Sequence, residues 1–248
     1  MTETVVVVGA TGAMGRVVCQ ELLGCGFDVL AVARSSHHLH ALADHLPSVR
    51  TCETDISQDS SQQAIRNNLG YQVRAVVHGP GVTPAGGICD APTHALTSAV
   101  NIKVGGLIRL VRACEDFFSS GSRIIAIGGH YGFEPTAYAA TAGVANAALA
   151  NVVRQLSWAY GDRGITSHLI APGPADTERL AKVAAAKAER DGVSLAQVFD
   201  ELREDSAIGE FTSLESIAWA VLTLLDKRAN ALAGSTLFMD SGRRRGLP

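Results

Sequence analysis

The first apolar run of the chain, Thr4-Val5-Val6-Val7-Val8, stops abruptly at a glycine loop. The stretch that follows, Arg16 to Leu23, spaces its apolar residues as a helix lying on a sheet does. This two-part pattern then repeats. Residues 29–33, 49–54, 73–78, 123–127, 166–170 and 235–239 read as further strands, rich in Val, Ile and Ala. Between them, residues 36–46, 58–69, 93–118, 136–160 and 214–225 carry helical periodicity. A serine cap opens the first of these helices and Pro47 stops it. Residues 178–205 predict one or two polar helices, the most mobile part of the chain.

Strands alternating with helices imply right-handed βαβ units and therefore an α/β fold. The expectation is a single doubly wound Rossmann-type domain over 1–248, a mainly parallel seven-stranded sheet with helices on both faces. No linker, repeat or low-complexity tract divides the 248 residues. Composition agrees: 47% of residues are hydrophobic but only 5% aromatic, as suits buried parallel strands. The net charge of −3 gives no basic field for nucleic acid or anionic lipid, so neither is expected as a partner. The valine run is too short to span a membrane, and a cytoplasmic protein is expected. The five cysteines have no metal-type spacing and read as small buried hydrophobes in a reducing compartment.

The candidate chemistry falls where such sheets bind ligands, beyond the carboxyl ends of the strands. Gly9, Gly12 and Gly15 lie between the first strand and its helix. That context suits a dinucleotide phosphate, which needs bare backbone N–H groups and the positive end of a helix. At the end of the second strand, Ala33 offers no carboxylate to ribose hydroxyls, while Arg34 and Ser35 suit a 2′-phosphate. NADP(H) is therefore the expected cofactor, with NAD(H) as the alternative. His37, His38, His40 and His45 crowd the next helix without a clean metal-binding pair, so no metal is expected. Arg243-Arg244-Arg245 reads as a solvated tail, with an anion site or subunit contact as the alternative.

These motifs together, namely GATGAMG at 9–15, Asp55 after the third strand, HGPG at 78–81, Asn101, Tyr138 and PGPADT at 172–177, resemble those of the short-chain dehydrogenase/reductase family. The resemblance covers essentially the whole chain. It implies that Gly9, Thr11, Gly12, Ala13, Met14 and Gly15 hold the cofactor's phosphates. It places Asp55 with Ile56 at the adenine and Gly79, Pro80 and Gly81 beside the adenosine. Pro172, Gly173, Ala175 and Thr177 would hold the nicotinamide. It also implies a homodimer or homotetramer, and small residues on the 136–160 helix would let a partner helix approach closely.

The catalytic set departs from the family's. The usual Tyr-x-x-x-Lys reads Tyr138-Ala139-Ala140-Thr141-Ala142, and the serine after the fifth strand falls on Gly129, or on Gly128 in a shifted alignment. Tyr138 remains as an acid, Asn101 as a holder of helix geometry or of a relay water, and His130 as a substitute acid. A tyrosine without its lysine donates a proton more readily than it accepts one. The leading expectation is an NADP(H)-dependent reductase of a carbonyl or activated double bond. Its substrate would be a small, modestly apolar molecule under a lid at 178–207. The alternatives are a non-redox enzyme on this fold (a cyclase, lyase or isomerase) and a nucleotide-binding scaffold without chemistry.

Overall fold

The computed structural model describes residues 3–70 and 72–246; residues 1–2, 71 and 247–248 of the expected 1–248 domain lie outside the described residues. Seven strands form one sheet: β1 (Thr4–Val8), β2 (Asp28–Ala33), β3 (Arg50–Glu53), β4 (Val73–His78), β5 (Phe118–Ile127), β6 (Thr166–Pro172) and β7 (Thr236–Met239). Their order is β3-β2-β1-β4-β5-β6-β7 and every pairing is parallel. The order reverses between β1 and β4, which opens the crevice there.

The period-2 geometry of a strand explains the valine run. Val5 and Val7 enter the core on one face of the sheet, while Val6 and Val8 enter the core on the other. The first core is shared with α1 (Ala13–Gly24), α2 (Ser36–His45) and α9 (Leu214–Leu225). The second is shared with α3 (Ser60–Arg66), α5 (Gly106–Cys114) and α6 (Ala140–Tyr160). Because both faces are covered, an unbroken apolar run is what such a strand requires.

The sheet itself carries a buried guanidinium. Arg123 of β5 is 1% exposed. It donates to the carbonyls of Leu224 and Asp226 and to Asn230 Oδ1, tying the middle of the sheet to the end of α9. A guanidinium has enough N–H groups for all three, which is how the burial is tolerated.

Three expectations need correction. The predicted 93–118 helix is broken into α4 (Thr93–Val100), a π turn at Asn101–Gly105, and α5, and Phe118 already belongs to β5. The adjacent Gly105 and Gly106 permit this, since a Cβ on Gly106 would lie 2.8 Å from the His78 ring. The predicted 136–160 helix begins only at Ala140. Two cysteines, Cys25 and Cys89, are exposed rather than buried, while Cys19, Cys52 and Cys114 are buried. The polar segment forms two helices, α7 (Glu178–Asp191) and α8 (Leu195–Glu204), with Ala184, Ala188 and Val198 packed between them. No described helix is long and apolar enough to cross a membrane.

Candidate active site

The glycine loop is packed so tightly that side chains have no place in it. Gly9 has φ +83°, and a Cβ there would come within 2.9 Å of the Gly79–Pro80 peptide. A Cβ on Gly15 would lie 2.2 Å from the Gly9 carbonyl oxygen. The N-cap of α1 is Gly12, and no side chain caps that end. The first-turn N–H groups of α1 are thus left to a ligand, the condition for phosphate binding at a helix N-terminus. Thr11 lends its carbonyl to the Arg16 side chain, and Ala13 and Met14 begin the helix. These residues fit a dinucleotide phosphate on their own geometry.

The flanking positions gather at the same end of the sheet. Arg34 is exposed at the end of β2, and Ser35 caps α2 by accepting from the His38 N–H. An accepting hydroxyl keeps its own proton for donation. Asp55 accepts from the Ser57 N–H, and Ile56 is buried beside it. Gly79 bonds to the Val8 carbonyl, which locks the end of β4 to the glycine loop. His37, His38, His40 and His45 are exposed, and among the described residues no group of three His, Cys, Asp or Glu is placed to hold a metal.

A cavity of about 620 Å³ continues from the glycine loop under α7 and α8. Met14, Gly81, Pro172, Gly173, Ala175 and Thr177 line it, so the two halves of the expected cofactor site meet in one space. Gly173 is packed on the backbone of Asp240, where a Cβ would approach within 2.9 Å. Thr177 caps α7 by accepting from the Leu180 N–H, so the segment expected at the nicotinamide also fixes the first helix of the expected lid.

The expected catalytic residues are distributed differently from their sequence reading. Tyr138 lies ahead of α6 and is 51% exposed at the rim of the cavity, its hydroxyl 2.9 Å from that of Tyr131. Burial, then the Tyr138 hydrogen bond, pushes the Tyr131 phenol well above its ordinary range. Tyr138 and Ala142 are therefore not stacked one helical turn apart. The pair one turn apart on α6 that lines the cavity is Ala142 and Asn146. Asn146 faces Gly129: a Cβ on Gly129 would come within 3.0 Å of Asn146 Nδ2. The bare Gly129 is thus matched to the asparagine opposite. Asn146 Oδ1 is buried without a hydrogen-bond partner.

Asn101 is turned away from the cavity. Its amide donates to the Ser57 carbonyl and accepts from Arg109, so it braces the π turn against the Asp55 loop. Its side chain is committed to these two partners. His130 is buried in the cavity wall, bonded to the Pro172 carbonyl, with Nε2 unpartnered. Burial, then the Arg243 charge, lowers its pKa to about 4, so it is neutral at neutral pH. His130, expected as an acid, is thus held in the cavity wall as a neutral imidazole.

Lys103 was missed by sequence reasoning. It is 5% exposed, lines the cavity, and donates from Nζ to the Ile127 carbonyl at 2.7 Å. Its signal was available: a lone lysine in the otherwise apolar stretch Ile102-Lys103-Val104-Gly105-Gly106. The C-terminal arginines are also not a free tail. The Arg243 side chain is 11% exposed, ion-paired to Asp205 at 2.7 Å and donating to the Leu202 carbonyl. Arg244 lies over the Phe238 ring, and the Arg245 and Gly246 N–H groups donate to Glu134. This end of the chain straps α8 to the loop that carries His130.

Known proteins share this whole framework. A family model described as enoyl-(acyl carrier protein) reductase matches residues 9–244. The 3-oxoacyl-[acyl-carrier-protein] reductase FabG of Escherichia coli is 26% identical, over 95% of this chain and 95% of its own length. Diacetyl reductase [(S)-acetoin forming] of Staphylococcus epidermidis is 21% identical, over 98% of both. Among solved structures, L-sorbose reductase of Gluconobacter frateurii, described as complexed with NADPH and L-sorbose, superposes with a TM-score of 0.89. It is 22% identical, with 99% of this chain and 98% of that one covered. With its parallel seven-stranded sheet, its glycine loop and a match over nearly its full length, the chain belongs to the short-chain dehydrogenase/reductase family.

Proposed function

We propose that this protein is an NADPH-dependent reductase of a carbonyl, or of an activated double bond, in a small and modestly apolar molecule. The observation that carries the reading is the uncapped α1 N-terminus, closed around by Gly9 and Gly15 and continuous with the lidded cavity. Similarity to carbonyl reductases, one of them solved with NADPH, supports it. When bound, the cofactor supplies hydride. The protein's part is to hold both partners, exclude water and deliver a proton.

The α1 N-terminus would take the pyrophosphate, Arg34 and Ser35 the 2′-phosphate, and the 172–177 segment the nicotinamide end. For the proton, the phenols of Tyr138 and Tyr131 form a hydrogen-bonded pair at the cavity rim. A phenol is protonated at neutral pH and donates to a developing alkoxide. It is a poor base, so the reverse oxidation is slow at neutral pH. Replacing Tyr138 by Phe is expected to leave NADPH affinity intact and to lower reduction of diacetyl, a probe substrate, about 100-fold. With deuterated NADPH, label in the product identifies hydride transfer. Unlabelled product rejects the reductase reading, and full turnover by the Tyr138→Phe enzyme rejects Tyr138 as the proton donor.

Cofactor choice is tested separately by fluorescence titration. Arg34→Ala is expected to weaken NADPH by roughly 10- to 100-fold and to leave NADH unchanged, because only the former offers a phosphate to the guanidinium. Equal affinity of the wild type for both nucleotides contradicts the assignment.

A further inference from the structure

Asn101 and Asn146 are used in opposite ways. Asn101 commits its amide to Ser57 and Arg109. Asn146 lines the cavity, is 5% exposed, and keeps its Oδ1 buried without a hydrogen-bond partner. The chain from Gly128 to Gly132 lies against this one side chain. A Cβ on Gly128 would come within 3.6 Å of Asn146 Oδ1, one on Gly129 within 3.0 Å of Nδ2, and one on Gly132 within 2.8 Å of the Asn146 Cβ. Three glycines thus leave room for an amide whose oxygen no protein group meets. An unmet buried acceptor destabilises a fold, so packing alone gives no reason for an asparagine here. The nitrogen end lies toward Gly129, and Gly129 lines the same space. Thr141 and Tyr131, also on the cavity, already have partners in the Thr83 carbonyl and the Tyr138 hydroxyl.

We propose that Asn146 is a catalytic residue, its Nδ2–H donating to the substrate's carbonyl oxygen and holding that oxygen as it becomes an alkoxide. The inference rests on the reading of this protein as a reductase. Hydride, with its electron pair, adds to the carbonyl carbon, and the π pair of the C=O bond moves to oxygen. The phenol pair proposed above then supplies the proton that completes the alcohol. Asn146 gives up no proton at any stage, so its part is electrostatic. An N–H bond to an oxyanion is stronger than the same bond to a neutral carbonyl. The amide therefore lowers the barrier more than it tightens substrate binding. Leu149 and Leu169 pack behind Gly128, which sets the amide in apolar surroundings, where such a bond counts for more. The glycine wall holds the amide by contact rather than by a hydrogen bond at its oxygen.

Asn146→Leu removes the donor at nearly the same volume, and Asn146→Ala takes its place if leucine prevents folding. Each is compared with wild type in thermal melts, in NADPH titration, and in reduction of diacetyl with ordinary and deuterated NADPH. Isobutyramide, a carbonyl compound that hydride does not reduce here, is titrated by calorimetry into the NADPH-loaded protein. The Tm and NADPH affinity of Asn146→Leu are expected to be unchanged or higher, because an unmet polar group has been removed. Isobutyramide should bind about 3- to 10-fold more weakly. Turnover should fall about 100- to 1000-fold in kcat, with KM moving less than about tenfold. The isotope effect on kcat should grow, as hydride transfer becomes slower than product release. A kcat within about threefold of wild type overturns the inference and leaves the reductase reading standing. A fall in kcat matched by lower Tm and weaker NADPH binding marks a structural role, and overturns it too. Wild-type protein that binds NADPH, yet neither reduces a panel of small ketones nor binds isobutyramide, rejects the reductase reading and this inference with it.

Discussion

Lowering the pH from 7 to 4.5 should remove most of the protein's stability, before most of its carboxylates protonate. His78, His130 and His168 are all buried. Their pKa values fall to about 3, about 4 and about 4, with burial the first cause in each. Cation repulsion adds to it, from Lys103, Arg243 and Arg123 respectively. In the unfolded chain each would titrate near 6.5. Between 6.5 and 4 the unfolded state therefore binds protons that the folded state refuses, and stability falls as pH falls. The contribution is fully present above about 6.5. By pH 4 each site has forfeited on the order of 3 kcal/mol, together comparable to a typical folding free energy of 5–15 kcal/mol. Urea midpoints across this range measure it, and His168→Gln should flatten part of the slope. A midpoint constant from pH 7 to 4.5 would contradict the burial argument. Carboxylates act lower: Asp28, held below its ordinary pKa by the Arg50 hydrogen bond, loses its contribution only as pH falls below about 4.

The second large effect belongs to Gly15. Alanine there would set a methyl carbon 2.2 Å from the Gly9 carbonyl oxygen, and that contact is backbone, with no flexible end to yield. Either α1 or the loop must move. Gly15→Ala is expected to cost about 3 kcal/mol, a fall in Tm of roughly 6–12 °C. It should also weaken NADPH about 100-fold, because the displaced helix no longer aims its N–H groups at the phosphates. Gly24→Ala is the matched control on the same helix. Nothing lies within 4 Å of its added carbon, and relief of glycine's entropy should stabilise the helix by about 0.5–1 kcal/mol. Equal behaviour of the two variants, in calorimetry and NADPH titration, would mean that the tight loop is not what holds the cofactor.

Much of this was legible in the residues. The strands and the glycine loop follow from short unbroken apolar runs and from the glycines flanking them. Those signals are local, and local chemistry fixes them. The centre of the site was less legible because it depends on the phase of helices. Periodicity carries one 3.6-residue helix straight through 93–118, and so gives no warning that Asn101 turns outward while Lys103 turns inward. Likewise, a start at 136 puts Tyr138 inside α6, whereas the helix begins four residues later, at Ala140, and places Ala142 and Asn146 on the cavity wall. Arg243 misled for another reason. Three consecutive arginines look solvated in sequence, and only the return of the chain past α8 brings Asp205 within reach.

The π turn carries one more implication, about how this pocket acquired its floor. A residue at the cavity is selected here by angular position as much as by its own identity. Removing one residue from Asn101–Gly105 would restore a continuous winding and advance every side chain on one flank by about 100° relative to the other. The ammonium would swing off its carbonyl without any change to the wall it faced. A short insertion or deletion in this bend would thus rewrite the polarity of the cavity while leaving its other lining residues in place, a larger step than any single replacement around it.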